Sequence, residues 1–580
     1  MQNSPASKPF IGLIPLFILF LTGTVSPKNY YVSNSGKWTN EGTSIGEAFG
    51  SINHAVEIAQ PGDSIFILPG RYSGVIAVND RSGDPEKPIC ILGYSQEEKD
   101  YPVIDGGART PSSNADDDWM SVKGSRWIVI GRMKFENGWT YPIKIENSSY
   151  ITFDKCMFWG GKRVISATGV CTHHLLVENC YWDQGGDYLW SVEKDSAGEP
   201  AWLSMHHLAM KYFNGSLIDF HGTGGSIVIR NNKITNAFNA LRWRGIKGYD
   251  SNIEIYGNHI SQIRDNDFEP EYYTFNLHIY HNFCHNIHRT LSIDNVDGGD
   301  IYYYGNVVTT DSKEWTVNVC AGFGKIYGEA RNLNYPLFIF NNSFYGVANA
   351  YRAEVGTFVQ VKHFNNAYYF SRDNGWVLSK WDSTDAFDYD VSNKGWPDNI
   401  TTNRQERHGR IADVDYVDGG NYDLRLRGDS PGRGAGTPLK FKEFDWTQRF
   451  TGKGPDVGAY EGNRLVEGPP FRLIVPPGTE LTYEEKPRIV RNDVDGKRLI
   501  LYFSVPMDPG TIKKGDVSLY LDNKEIDVSN VSVGNENYSI IIDGNTDLSA
   551  GIPSISFRLL PYGMNKQQAT YWASTIKIHE

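Results

Sequence analysis

Between residues 150 and 370 one short pattern keeps returning: an apolar strand, then Asn or Cys, then another apolar residue. It reads ITFDKCMF, LLVENCYW, IVIRNNKI, IEIYGNHI, LHIYHNFC, IYYYGNVV, LFIFNNSF and VKHFNNAY. The markers are Cys156, Cys180, Asn232, Asn258, Asn282, Asn306, Asn342 and Asn366, spaced by 24, 52, 26, 24, 24, 36 and 24 residues. A unit this short cannot bury its own apolar face, so a near-fixed period with strands in each unit implies stacked coils. The Leu-x-x-Leu-x-Leu pattern of a leucine-rich repeat is absent. The expected fold is therefore all-β, a right-handed parallel β-helix with coils about 4.8 Å apart. The 52-residue step is expected to be two coils with a degenerate marker near His206, and the 36-residue step one coil with an insertion.

Stacked Asn side chains at a bend satisfy one another and the buried turn backbone, so the Asn markers are scaffold. Cys156 and Cys180 fall at the same step, where a small apolar side chain fits; a bridge between them is the alternative to ladder packing. Six Cys in 580 residues, with no C-x-x-C pair, exclude a disulfide framework or a zinc-ribbon spacing. Formal net charge is -12 with no Lys/Arg block, which argues against nucleic acid as a partner.

The N-terminus carries an apolar run from Phe10 to Leu21, preceded by a Lys and followed by small residues. That is too short for a bilayer and implies a cleaved signal peptide over 1–26, hence a secreted or periplasmic protein with no membrane span. The β-helix is expected over 27–462, a Gly/Pro-rich linker over 463–485, and a small antiparallel β-sandwich over 486–580.

Strand alternation assigns a face to each residue after the markers. Leu241, Trp243, Phe268, Leu291 and Ile293 should point inward. The outward set is Asp219/His221, Arg242/Arg244, Asp267/Glu269, Ser292/Asp294 and Thr316/Asn318. The register of DNDFEPE against its neighbours requires a one-residue shift. Carboxyls on adjacent coils would lie about 5 to 8 Å apart, the span used for glycoside hydrolysis in both retaining and inverting geometry. Crowding should raise one carboxyl pKa, as a general acid requires, while the arginines hold another ionised and grip a uronate or sulfate. Lys325 could line the same cleft. Trp182, Trp190 and Trp202 are possible sugar platforms or ordinary packing residues. His278, His281, His285 and His288 are spaced to reach different faces, so no histidine metal site is expected.

The segment YYVSNSGKWTNEGTSIGEAFGSINHAVEIAQPGDSIFILPGRYSG, then DDDWMSVKG, and the closing YDLRLRGDSPGRGAG and GPDVGAYEG resemble secreted β-helix proteins that act on carbohydrates. These include pectate-lyase-like lyases and several glycoside hydrolase families. The resemblance covers about 29 to 462 and implies fold more than activity. FSVPMDPGTI is similar to bacterial immunoglobulin-like modules appended to secreted enzymes.

Three functions remain. The first is a monomeric glycosidase on an anionic or neutral polysaccharide, needing no cofactor. Glu269 and Asp294 would be its acid and base or nucleophile, and Asp267 a supporting carboxylate. Arg242, Arg244, His221, Asp219, Asn318 and Lys325 would bind substrate. The second is a polysaccharide lyase, with Ca²⁺ held by Asp267, Glu269 and Asp294 and with Arg242 or Arg244 as base. The third is a carbohydrate-binding or surface protein without catalysis.

Overall fold

The computed structural model describes residues 26–108, 118–185, 211–293, 296–311, 322–325, 336–357, 359–371, 377–441, 444–445, 449–450, 452–471, 489–503, 507–522, 524–534, 539–548, 553–557 and 577–578. The chain from Asn29 onward winds as a right-handed parallel β-helix in which each full coil contributes one strand to each of three parallel sheets. A short helix, Ile52–Ile58, lies at the first coils. Ser51 caps its N-terminus through the His54 N–H, and Ile52, Ala55 and Val56 turn into the core.

The core follows from the repeat. On the first sheet Ile151, Leu175, Ile227, Ile253, Leu277, Ile301, Leu337 and Val361 stand in register, one per coil, and all are buried. Each such aliphatic side chain contributes about 1.5–3 kcal/mol on burial. The Asn ladder runs beside them. Asn232, Asn258, Asn282, Asn306 and Asn342 each donate from Nδ2 to the next rung's Oδ1 at 2.9–3.1 Å. Asn366 donates in turn to Asp390 at 3.3 Å.

Cys180 N donates to Asn232 Oδ1 at 2.9 Å, and Tyr181 pairs with Lys233. Cys180 and Asn232 are therefore consecutive rungs. The 52-residue step is therefore one coil, not two, and His206 lies outside the described residues. The 36-residue step is one coil, with Asn306 N bonding Asn342 Oδ1 at 3.0 Å. Cys156 and Cys180 are free, buried thiols on the ladder position, directed at main-chain carbonyls.

On the outside of the first sheet Tyr256, Tyr280, Tyr304 and Phe340 stack at 5.0 Å, which is the coil spacing itself. The closing segment covers part of this column: Leu439 and Val466 pack on Tyr304 and Phe340, and Phe441 meets Phe340. His281 Nε2 lies 2.7 Å from the Val466 carbonyl.

Residues 489–578 contribute two four-stranded sheets, antiparallel except for one pairing, around their own core of Leu499, Leu501, Leu519, Ile540, Ile542 and Ile555. No described helix is long and apolar enough to cross a membrane. The Phe10–Leu21 run lies outside the described residues.

Candidate functional site

The third sheet is where the sequence placed chemistry. Its strands here are Ser216–His221, Leu241–Gly245, the middle of the long run His259–Tyr280, the end of Phe283–Ser292, and Gly322–Lys325. Leu241, Trp243, Phe268 and Leu291 are fully buried, as alternation requires. Register pairs Leu241 with Phe268 and Phe268 with Leu291. The opposite face therefore carries Arg242 beside Glu269, followed by Ser292, and Arg244 beside Glu271. The Ser292 position continues in register through Lys325 and Arg352.

The centre is a knot of two carboxylates and two guanidiniums. Arg242 Nε lies 3.2 Å from Glu269 Oε2, and its Nη2 donates to Glu271 Oε2 at 3.0 Å. Arg242 Nη1 donates to Asn214 Oδ1 at 2.9 Å, and Arg244 Nε reaches Glu271 Oε2 at 3.0 Å. Burial alone would lower the Arg242 guanidinium, but Glu269 and Glu271 outweigh it and hold it above its ordinary value. Burial likewise opposes ionisation of Glu271, yet Arg242 and Arg244 win and keep its carboxyl below the usual range. Arg242 and Glu269 are nearly enclosed, whereas the Arg244 side chain is 49% exposed.

Asp219 and His221 sit on the preceding coil, on the same face. Asp219 accepts from Arg163 Nη1 at 2.9 Å, and burial pushes its carboxyl up against the pull of Arg163, Arg242 and Arg244. His221 is exposed, with Nδ1 2.7 Å from the Arg244 carbonyl. Asp294 and Asn318 lie outside the described residues, as do Thr316, Trp190 and Trp202. The position beside Ser292 belongs to Lys325, so the strand after Asn306 enters this sheet later than EWTVNVC suggested.

Asp267 corrects the expectation of an outward carboxylate. It is wholly buried beside the Cys284 thiol, and burial pushes its carboxyl far above the ordinary value. The cause is a corner. The register shifts between Ile263 and Asn266 as the chain turns from the second sheet into the third. Asn266 N bonds Asn239 Oδ1 at 3.0 Å, so Asp267 takes the inward step occupied one coil earlier by Ala240. Strand alternation begins only after this corner. The outward pair is thus Glu269 and Glu271; Glu271, with its partners Arg242 and Arg244, was missed. The signal for it was present, since Asn239 and Asn266 each precede by two the paired Leu241 and Phe268.

An acid that is protonated when folded stabilises fully below its unfolded pKa, and that contribution is lost as pH rises towards its raised folded value. Asp267→Asn is therefore expected to be near-neutral at pH 4 and to gain over the parent by about 1.4 kcal/mol per pH unit above that. Denaturant unfolding of both proteins at pH 4 and pH 7 checks this.

Burial of Asp267 also removes one of the three oxygens proposed for Ca²⁺, and Arg242 already occupies the side of Glu269 and Glu271. The described residues do not fit a calcium site there. The four histidines are scattered as expected. His278 lies under Tyr302 and Phe471, with burial pulling it down to about 3. His285 meets Thr309, and His288 approaches Asp265 at 3.9 Å. Trp182 is a core residue whose Nε1 donates to the Gly160 carbonyl at 2.8 Å.

No family model matches the chain, and no curated protein matches it. Among solved structures it is similar to a pectate lyase at 15% identity and a TM-score of 0.36, covering 76% of this chain and 98% of that one. A lacto-N-biosidase from Eubacterium ramulus matches at 12% identity and a TM-score of 0.33, covering 61% and 67%. A surface adhesin of Streptococcus pneumoniae matches at 13% identity and a TM-score of 0.35, covering 57% and 86%. A lyase, a glycosidase and an adhesin share this level of likeness, and at such TM-scores it carries no argument about activity.

Proposed function

We propose that the protein is an exported enzyme that hydrolyses glycosidic bonds of an anionic polysaccharide on the outer face of the third sheet. The observation that carries this is the single guanidinium of Arg242 touching two carboxylates, at 3.2 Å to Glu269 and 3.0 Å to Glu271. Sharing one guanidinium keeps the two carboxyl groups within about 8 Å of each other, inside the range used for glycoside hydrolysis. Glu271, held ionised by two arginines, is the nucleophile or base. Glu269, which meets the Arg242 guanidinium, is the proton donor. Asp294, outside the described residues, is the alternative ionised partner. Arg244, half exposed, binds a uronate or sulfate of the substrate, and His221 and Asp219 flank it with Lys325 and Asn318 as further substrate contacts.

β-Elimination is the second reading, favoured by the cationic flank that Arg242 and Arg244 give to the two carboxylates. It needs a base with a lowered pKa, whereas Arg242 is raised. Screening acidic and neutral polysaccharides with parallel reducing-end and ultraviolet assays tests the choice. New reducing ends without unsaturated product, insensitive to chelator, are expected. An ultraviolet-absorbing product would overturn hydrolysis, and binding without cleavage on long incubation would overturn both enzymatic readings.

A further inference from the structure

Towards its C-terminal end, the helix core holds a buried group that the polysaccharide chemistry does not use. His363, Asp390 and Glu406 are buried together, with one donor atom of each within 4.8 Å of the others. They come from three different places. His363 is an inward residue of the strand Val361–Phe364, Asp390 is the rung that ends the Asn ladder, and Glu406 belongs to the closing segment. His363 Nε2 lies 2.6 Å from Asp390 Oδ2, and Tyr351 Oη lies 2.6 Å from Nδ1. Asp390 Oδ1 accepts from the Asn366 N–H at 2.7 Å, and the Asp390 N–H donates to Glu406 Oε2 at 3.3 Å. Glu406 Oε1 is fully buried and has no hydrogen-bond partner among the described residues.

Two carboxyls in an apolar interior demand positive charge or protons. Among the described residues no Lys or Arg pairs with either, and the one basic neighbour is His363. Burial, with Asp390 adding to it, pushes the Glu406 carboxyl far up. One imidazole, two carboxylates and the Tyr368 hydroxyl, 3.3 Å from His363 Nε2, make a nitrogen–oxygen donor set suited to a zinc-type ion.

We propose that His363, Asp390 and Glu406 bind one divalent transition-metal ion, which staples the last coils and the closing segment to the core. Tetrahedral bonds of about 2.0 Å put donors about 3.3 Å apart, so the 2.6 Å His363–Asp390 contact opens slightly on loading. His363 then presents the Nε2 lone pair to the metal and carries its proton on Nδ1, donated to the Tyr351 oxygen. Glu406 releases its proton to solvent. The ion replaces a proton shared between two buried acids and gives Glu406 Oε1 a partner.

The test uses full-length protein purified without chelator, and the same protein unfolded with chelator and refolded with zinc. Elemental analysis should find about one zinc per chain, and cobalt in its place should give the visible absorption of a tetrahedral site. Zinc should raise the Tm of the refolded protein. Glu406→Gln keeps the side-chain shape and the carbonyl that accepts from Asp390 N, so it should fold by circular dichroism yet hold less than about 0.1 zinc per chain. The proposal is overturned if the parent is metal-free after both routes with no Tm response. It is equally overturned if Glu406→Gln retains the metal. Neither readout depends on glycosidic cleavage, so the result is independent of the function assigned to the third sheet.

Discussion

Glu271→Gln and Glu269→Gln are each expected to lower glycosidic cleavage by about 10³-fold or more while leaving the fold intact. Both side chains lie on the face opposite the packing residues Phe268 and, on the neighbouring strand, Leu291, so an amide of equal size leaves those core contacts in place. The two losses should differ in kind. Glu271 accepts from Arg242 and Arg244 and is held ionised, so its amide removes the charge that attacks or activates water. Glu269 contacts Arg242, and its amide removes the proton donor. Substrates with good leaving groups should therefore recover much of the Glu269→Gln loss and little of the Glu271→Gln loss. Near-normal activity in both variants, with Asp294→Asn inactive, would move the site to the next coil. Near-normal activity in all three would remove it from this face.

The second large effect is on the scaffold. Asn282→Ala is expected to cost about 3–5 kcal/mol, because several buried polar groups lose partners at about 1–3 kcal/mol each. Asn282 Oδ1 accepts from Asn258 N and Nδ2 at 3.0 and 2.9 Å. Its Nδ2 donates to the carbonyls of Ile255 and Tyr280 and to Asn306 Oδ1 at 3.0–3.1 Å. Alanine takes the acceptor of the Asn258 N–H and one of the two acceptors of its Nδ2, and the Ile255 and Tyr280 carbonyls lose this donor. Urea unfolding should show a lowered midpoint, and hydrogen exchange should quicken first at the coils bounded by Asn258 and Asn306. A loss below about 1 kcal/mol would show that the ladder is packing rather than a hydrogen-bond spine.

The repeat made the helix legible because the ladder asks for one residue type at one step, and chain spacing records that step directly. Where other residues take the step, spacing misleads. The Cys180 thiol occupies a rung, and the excursion after it is long enough to count as a second coil. Asp390 follows Asn366 by 24 residues and continues the ladder, but as an acid it did not read as a rung. The face of Arg242, Arg244 and Glu269 followed from period-two alternation. Asp267 did not, because alternation holds along a strand and fails at a corner. Only the stacking of Asn266 on Asn239 locates that corner. Glu271 follows Glu269 by two on the same strand, so alternation itself directs it outward. The His363–Asp390–Glu406 group was not legible at all, since its members are 27 and 16 residues apart and meet only when the last coils close.

The most direct measurement is polysaccharide cleavage by the parent and by Glu271→Gln, followed by reducing ends and by ultraviolet absorbance on acidic substrates. The expected result is new reducing ends without unsaturated product in the parent, and about a 10³-fold loss in Glu271→Gln. An unsaturated product, or a Glu271→Gln variant as active as the parent, would contradict hydrolysis at the Arg242–Glu269–Glu271 site.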